Sequence, residues 1–236
     1  MKIKRIVWFA YDPFSFYAYL LLGKKDGIME KNLRPLSQAE DAMTDFVIEK
    51  VTLVRYRGTG GDVTVPSFIK HILDNAFYHH TKIDSITLPE GLISVGKHAL
   101  SMTGVEELYL PDSVTSFGRG ALSHCYQLLR LHLPVGLTVL SEGLLEGCGA
   151  LEQITLPPQL CRIESRALSG CAALASITLP ETVEFIGQAV FWGCDRLERI
   201  LCTERVAALI RPDLFNSMTF QNGTFVRKPL PEIKIL

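Results

Sequence analysis

The chain has 236 residues, of which 47% are hydrophobic and 21% are charged, and its formal net charge is −1. This length and hydrophobic content allow a large buried core. The near-zero charge argues against a nucleic-acid partner, because such a protein needs a basic face to displace the counterions of the phosphate backbone.

Residues 1–45 match no other part of the chain, and we expect them to form an N-terminal capping segment. The sequence predicts a short helix in this segment, with Asp12 as its N-cap and Pro13 in its first turn. Residues 14–22 would form its body, and Gly23 would end it. Ser37 and Glu40 have the spacing of a capping box and predict a second short helix. The seven aromatic side chains of residues 8–19 are too many to leave in water. We predict that they cover the apolar end of the domain that follows; the alternative is a docking segment for a partner or a second copy.

The most apolar stretch of the chain, residues 6–22, is interrupted by Asp12-Pro13 and contains fewer than 18 uninterrupted apolar residues. It therefore predicts no membrane span. The same interruption breaks the hydrophobic region of a secretory signal, and no small-residue cleavage site follows Leu22. We expect a cytoplasmic location, with the cell surface or secretion as the alternative.

From residue 66 onward a proline returns about every 23 residues, with one spacing of 22. The six prolines are Pro66, Pro89, Pro111, Pro134, Pro157 and Pro180. Each closes a short strand-like run that ends in an apolar residue. Self-similarity at a fixed period of this length predicts a solenoid, in which each repeat forms one coil.

Apolar residues recur at fixed distances from each proline, and we number repeat positions by this distance. Position 6 is held by Ile72, Val95, Phe117, Leu140, Ile163 and Ile186. Positions 3, 10, 11, 17 and 20 are apolar in the same way, apart from a one-residue deletion between Thr103 and Val105. Such a coil cannot bury its apolar side alone, so stacked coils must share one continuous core. Gly96, Gly118 and Gly187 at position 7 indicate a tight backbone approach rather than a required positive φ.

The pattern LxxITLPxxVxxIGxxAFxGC, clearest in residues 174–194, resembles the BspA-like class of bacterial leucine-rich repeats. Residues 46–66 resemble the strand–turn–strand segment that precedes such repeats, although Glu49-Lys50 stands where Asp-Gly is expected at the turn. The resemblance implies a right-handed leucine-rich-repeat solenoid of short parallel strands and irregular turns, with a minor helical content in the N-terminal cap. It would cover residues 46–203, between a capping segment at 1–45 and a C-terminal cap at 204–236. It also implies a binding scaffold and not an enzyme.

Four of the six cysteines share position 14: Cys125, Cys148, Cys171 and Cys194. We expect them to stack along the solenoid as buried, reduced thiols, since a buried free cysteine behaves as a small hydrophobic residue. Disulfides between stacked coils are sterically conceivable, but parallel side-chain directions disfavour them. No cysteine or histidine spacing fits a zinc site, so we predict no metal.

Beyond the last full repeat, residues 204–210 have a helical pattern that stops at Arg211-Pro212. Asn222-Gly223 lies between two β-prone runs and predicts a two-residue hairpin. With Thr224 it also fits a glycosylation sequon, but the turn explains the same residues without secretion. We expect this hairpin to belong to the C-terminal cap.

No catalytic motif is present, and we predict no enzyme activity and no cofactor. The glycines of residues 58–62 lack the Lys-Ser/Thr ending of a phosphate loop and predict a turn between strands. His79-His80 falls at a coil corner, where the two side chains diverge. Strand alternation sends Glu106 and Glu107 to opposite faces, which argues against a catalytic pair. A deep cleft that gathers groups of shifted pKa would revive the enzyme hypothesis.

The outward side chains of the strands form the candidate binding surface. Most are small and polar, but four on adjacent coils stand out: Glu107, Tyr109, Arg130 and His132. Tyr and Arg are enriched among binding hot spots, while the simpler interpretation is an ordinary cross-strand pair of Glu107 with Arg130. We predict a non-enzymatic scaffold that binds a protein or peptide along a concave strand face. The alternative is a surface adhesin for a host protein or glycan, if the chain is exported.

Overall fold

The computed structural model describes residues 44–215, 218–221, 224–227 and 229–236, with side chains described as far as residue 215 and again from 229. The predicted helices and aromatic cap of residues 1–43 lie outside the described residues. The described part winds into a parallel β-solenoid with little helix, as the repeat predicted.

The strands that precede the prolines, together with two strands that continue the stack beyond the last repeat proline, form what we call the main ladder. Its members are β3 (Gly61–Thr64), β5 (Ile83–Thr87), β7 (Glu107–Tyr109), β9 (Arg130–His132), β12 (Ser176–Thr178), β14 (Arg199–Cys202) and β17 (Glu232–Ile235). They pair in parallel as three separate sheets, β3–β5, β7–β9 and β12–β14–β17. The first interruption coincides with the coil that is one residue short, and the second lies at residues 153–155, which form no strand.

A second ladder lies at positions 5 and 6 of the repeat, where the sequence predicted an apolar residue at position 6 but no strand. It consists of β4 (His71–Ile72), β6 (Ser94–Val95), β8 (Ser116–Phe117), β10 (Val139–Leu140), β11 (Arg162–Ile163) and β13 (Phe185–Ile186). At its start, β1 (Phe46–Glu49) and β2 (Thr52–Tyr56) form the predicted antiparallel hairpin, and β2 pairs with β4. Lys50 takes a positive φ of 58° in the turn.

The side chains between the two ladders form one continuous core of buried Leu, Ile, Val, Phe, Ala and Cys residues. The four position-14 cysteines are buried and aligned, as predicted, and each Sγ donates a hydrogen bond to a backbone carbonyl of the preceding coil. For Cys148 the acceptor is the Leu122 carbonyl, at 3.2 Å. Their reduced state in solution stays a prediction.

The position-7 glycines are required by close approach of the neighbouring coil, as predicted. A Cβ atom on Gly118 would lie 2.4 Å from the Lys97 backbone nitrogen, and one on Gly187 would lie 2.4 Å from the Ser165 nitrogen. Both distances are far below van der Waals contact, and neither glycine has a positive φ.

The corners of each coil contain two left-handed residues that the sequence analysis missed. Positions 9 and 13 have φ between 51° and 78° in all six coils. They are held by Asn75, His98, Gly120, Gly143, Arg166 and Ala189, and by His79, Met102, His124, Gly147, Gly170 and Gly193. In five coils each of these residues donates its N–H to a carbonyl of the next coil, as His124 does to Glu146 at 2.6 Å. The corners are thus joined by backbone hydrogen bonds without forming strands.

After β14 the chain continues into α1 (Glu204–Ala207), which ends earlier than predicted, and a 3₁₀ helix (Pro212–Leu214). The predicted hairpin is present as antiparallel β15 (Met218–Gln221) and β16 (Thr224–Arg227). The strand that adds to β14, however, is the unpredicted β17. In the part of the chain that the structure describes, no helix has the length and apolar content that crossing a bilayer requires.

Candidate binding face

The structure brings the four predicted site residues together on β7 and β9. These strands pair in parallel so that Glu107 lies opposite Arg130 and Tyr109 lies opposite His132. The intervening Leu108 points into the core, where it is buried. Strand alternation therefore places all four side chains on the outward surface, which we call the β7–β9 patch.

The first pair in the patch is an exposed ion pair. The Arg130 Nη1 atom donates a hydrogen bond to the Glu107 Oε1 atom, and both side chains are more than half exposed. Such surface pairs contribute only about 0–1 kcal/mol to stability. The cross-strand pair expected from the sequence is therefore present, but it contributes little to the fold.

The second pair is a ring stack. The Tyr109 and His132 rings lie 4.5 Å apart between centroids and are almost parallel, at 4°. The Tyr109 side chain is still 52% exposed, so the stack offers an aromatic surface to solvent. A stacked aromatic pair holds its rings in place, and it contributes about 0.5–1.5 kcal/mol beyond the area that it buries.

The structure adds Asp112 to the patch, a residue that the sequence analysis did not single out. One oxygen of its carboxylate lies 3.9 Å from the His132 Nε2 atom and accepts a 2.9 Å hydrogen bond from the Val135 N–H. The signal that could have found it is its place directly after Pro111, one coil before His132. Two exposed apolar side chains, Leu129 and Val135, flank β9 in the chain.

The outward side chains of the other main-ladder strands include charged and aliphatic residues but no aromatic ring. Asp62 accepts a 2.5 Å hydrogen bond from Ser85 on the neighbouring strand. On β12 and β14, Ser176 lies opposite Arg199 and Thr178 lies opposite Leu201. The β7–β9 patch is thus the part of the outward face that combines aromatic rings with both signs of charge.

The groups with shifted pKa values lie elsewhere. Burial raises the pKa of Tyr56 and lowers that of His80, and the two rings meet edge to face at 4.9 Å. The interaction between the neighbouring thiols of Cys125 and Cys148 lowers the pKa of Cys125 and raises that of Cys148, and burial raises that of Cys171. Among the described side chains, no three His, Cys, Asp or Glu residues cluster as metal ligands would. These groups are core residues or lie directly beside the core.

The sequence matches the family model of the BspA-type leucine-rich-repeat region, in six copies, over residues 60–160 and 128–230. No curated protein matches the sequence. The family of this chain is therefore identified from the family-model match and not from a curated relative.

Solved structures of bacterial leucine-rich-repeat proteins are similar to this chain, and the first of the three below has the same fold. A leucine-rich cell-surface protein of Faecalibacterium prausnitzii is 21% identical, with a TM-score of 0.51 over 78% of this chain and 56% of its own. A T. pallidum protein is 25% identical, with a TM-score of 0.45 over 64% and 62%. A Bacteroides ovatus protein is 20% identical, with a TM-score of 0.42 over 67% and 62%. The chain spans about three fifths of the length of these proteins.

Proposed function

This chain belongs to the BspA-type leucine-rich-repeat family, and we propose that it is a non-enzymatic recognition scaffold that binds a protein or peptide along the outward face of its main ladder. Repeats of this type are commonly used for protein interaction or adhesion. Solenoids in general bind along such extended repeat surfaces. The observation that carries the proposal is the exposed ring stack beside an exposed ion pair in the β7–β9 patch.

The patch contains residue types that often dominate binding energy, and its side chains are held in place before a partner binds. Tyr and Arg are enriched among hot-spot residues. Because Tyr109 is stacked on His132 and Arg130 is bonded to Glu107, less side-chain freedom is lost when a partner binds. Arg130 also has five N–H donors, so its bond to Glu107 leaves others for a partner.

The location of the shifted pKa values supports a binding role over catalysis. Catalytic sites gather several perturbed groups in one cleft. Here Tyr56 is buried, His80 is half-buried beside it, and the affected cysteines lie in the core. The outward face instead carries exposed side chains suited to surface contacts.

A second candidate, adhesion of an exported chain to a host protein or glycan, would use the same patch. The flat, exposed Tyr109–His132 stack favours it, because the apolar face of a sugar ring packs well against aromatic side chains. The cytoplasmic location expected from the sequence stays a prediction.

The test is a double substitution, Tyr109→Ala with Arg130→Ala, in the full chain. Immobilised unsubstituted protein is used to capture partners from the native organism and from host extracts, and affinities are then measured by calorimetry. If the patch is the site, the double substitution weakens binding at least ~30-fold, corresponding to about 2 kcal/mol for a hot spot. The free energy of unfolding should fall only by what the exposed stack and ion pair contribute, about 0.5–2.5 kcal/mol together, because these side chains support no core.

The matched control is Thr178→Ala with Arg199→Ala. These residues occupy the same outward positions on β12 and β14 that Tyr109 and Arg130 occupy on β7 and β9. The control should bind as the unsubstituted chain does. Equal affinity for all three proteins would contradict the proposal, and a glycan as the captured ligand would favour the adhesin.

A further inference from the structure

Strand β17 differs from the other strands of its sheet because its inward side chains are exposed. Ile233 lies opposite Ile200 and Ile235 lies opposite Cys202, and both of these β14 residues are fully buried. Ile233 is nevertheless 42% exposed and Ile235 is 47% exposed. Among the described residues β17 is the last strand of the sheet, so no further coil covers this end of the core.

Within the described residues, the backbone of β17 also has an edge that pairs with no strand. The Glu232 N–H donates a hydrogen bond to the backbone carbonyl of Glu198, and the Leu236 N–H donates one to the backbone carbonyl of Cys202. Because hydrogen-bonding groups alternate along a parallel strand, the N–H and C=O groups of Ile233 and Ile235 point away from β14. An edge of this kind is a template on which another strand can pair.

We propose that this edge pairs with the β17 edge of a second copy of the chain. The two strands run antiparallel about a two-fold axis at Ile233, so each Ile233 exchanges both backbone hydrogen bonds with its counterpart. In this register Glu232 of each copy lies opposite Lys234 of the other. Two opposite-charge cross-strand pairs therefore stabilise the contact. Such an isologous interface closes after two copies.

The charges of β17 select this register over the neighbouring one. Moving the two-fold axis by one residue, to Lys234, would place the two Lys234 side chains directly opposite each other, and like charges in that position are destabilising. With the axis at Ile233, the inward isoleucines of both copies lie on one face of the joined sheet. The open ends of the two cores then cover each other.

Cysteine cross-linking distinguishes this geometry from other contacts. In Ile233→Cys the two new thiols would lie on residues whose Cα atoms are about 5.5 Å apart, within the range of a disulfide. In the matched control Ile235→Cys, the equivalent residues are four positions apart along the strands, about 14 Å. Mild oxidation should therefore yield a covalent dimer of the first variant and not of the second. The unsubstituted chain, oxidised in the same way, shows how much cross-linking the native thiols produce. Equal cross-linking of both variants, or none of the first, would overturn the proposal.

A charge exchange tests the pairing without new cysteines. Lys234→Glu alone and Glu232→Lys alone should each weaken self-association roughly tenfold or more, because both pairs then hold like charges. An equimolar mixture of the two variants should recover the affinity, since each Glu again faces a Lys. Sedimentation equilibrium gives the association constants, and circular dichroism checks that both variants stay folded. An unsubstituted chain that is monomeric at all concentrations, or a mixture no tighter than its components, would overturn the proposal.

Discussion

Twelve corner residues with positive φ show how this chain turns without glycine at every corner. Five of the twelve are glycine and the others include His, Asn, Met, Arg and Ala. Most of them donate an N–H to the next coil, so the left-handed backbone is maintained by hydrogen bonds along the solenoid axis. The sequence could not predict these positions, because no residue type is common to them.

At the residue scale we predict that Ala189→Gly stabilises the protein. Ala189 has a φ of 53°. A left-handed conformation costs a residue with a Cβ atom about 1–2 kcal/mol, whereas glycine costs about 0.5–1 kcal/mol in chain entropy relative to alanine. We expect the free energy of unfolding, measured in urea, to rise by about 0.5–1 kcal/mol.

The control for this substitution is Ala175→Gly, at a half-buried position without a positive φ. It should lower the free energy of unfolding by about 0.5–1 kcal/mol, because only the entropy cost applies. Equal losses for both variants would show that strain at Ala189 is negligible.

The candidate site illustrates what a sequence can show at this scale. The period placed Tyr109 and His132 at equivalent positions of adjacent coils, and strand alternation turned both outward, so their proximity could be predicted. The parallel stacking of the rings and the approach of Asp112 depend on side-chain conformations. The repeat pattern does not encode these.

At the scale of elements, the second ladder was visible only as a column of apolar residues. Its strands are two residues long, too short for the alternation that identifies a strand. They form because neighbouring coils approach closely enough to pair, and in three of the six coils a glycine at position 7 permits an especially close approach. Strand formation here follows from stacking and not from local preference.

We therefore predict that Gly118→Ala is strongly destabilising. The new methyl group would lie 2.4 Å from the Lys97 nitrogen, a backbone atom of the preceding coil that cannot move as a flexible side chain would. Overpacking of this kind costs about 1–3 kcal/mol. Urea unfolding monitored by circular dichroism measures the loss.

Gly136→Ala provides the comparison. No atom lies within 4 Å of a Cβ built on Gly136, and its φ is not positive. This variant should be neutral or stabilised by up to about 1 kcal/mol, because alanine has less chain entropy to lose on folding. The prediction fails if the two alanines have the same effect.

At the scale of the whole molecule, the described coils contact mainly their neighbours in the chain. The repeat predicted this architecture because the same apolar positions recur in six coils. It did not predict β17, whose pairing with β14 lies outside the repeat and rests on contacts between segments 33 residues apart, Arg199 and Glu232. The repeat also does not predict which partner the chain binds, because the outward side chains differ from coil to coil.

We predict that one whole coil can be removed. Deleting residues 134–156 joins Leu133 to Pro157 and keeps every later side chain in its inward or outward position. Because stability is roughly a sum of nearest-neighbour terms, the variant should fold cooperatively with reduced stability. Far-ultraviolet circular dichroism and urea unfolding test this.

Deleting residues 134–145 is the control, because it removes about half a coil and shifts the repeat out of phase. That variant should fail to form a cooperative structure. If the in-phase deletion is equally unfolded, the coils are not interchangeable units.

The 23-residue separation between paired strands has a consequence for how the chain folds. Partners such as Glu107 and Arg130 are only about one tenth of the chain apart, so the relative contact order is near that of helical proteins, about 0.1, despite the β architecture. Each new coil needs only the coil before it, and loop closure over so short a span is inexpensive in entropy. The solenoid can therefore assemble coil by coil during synthesis, before β17 has left the ribosome.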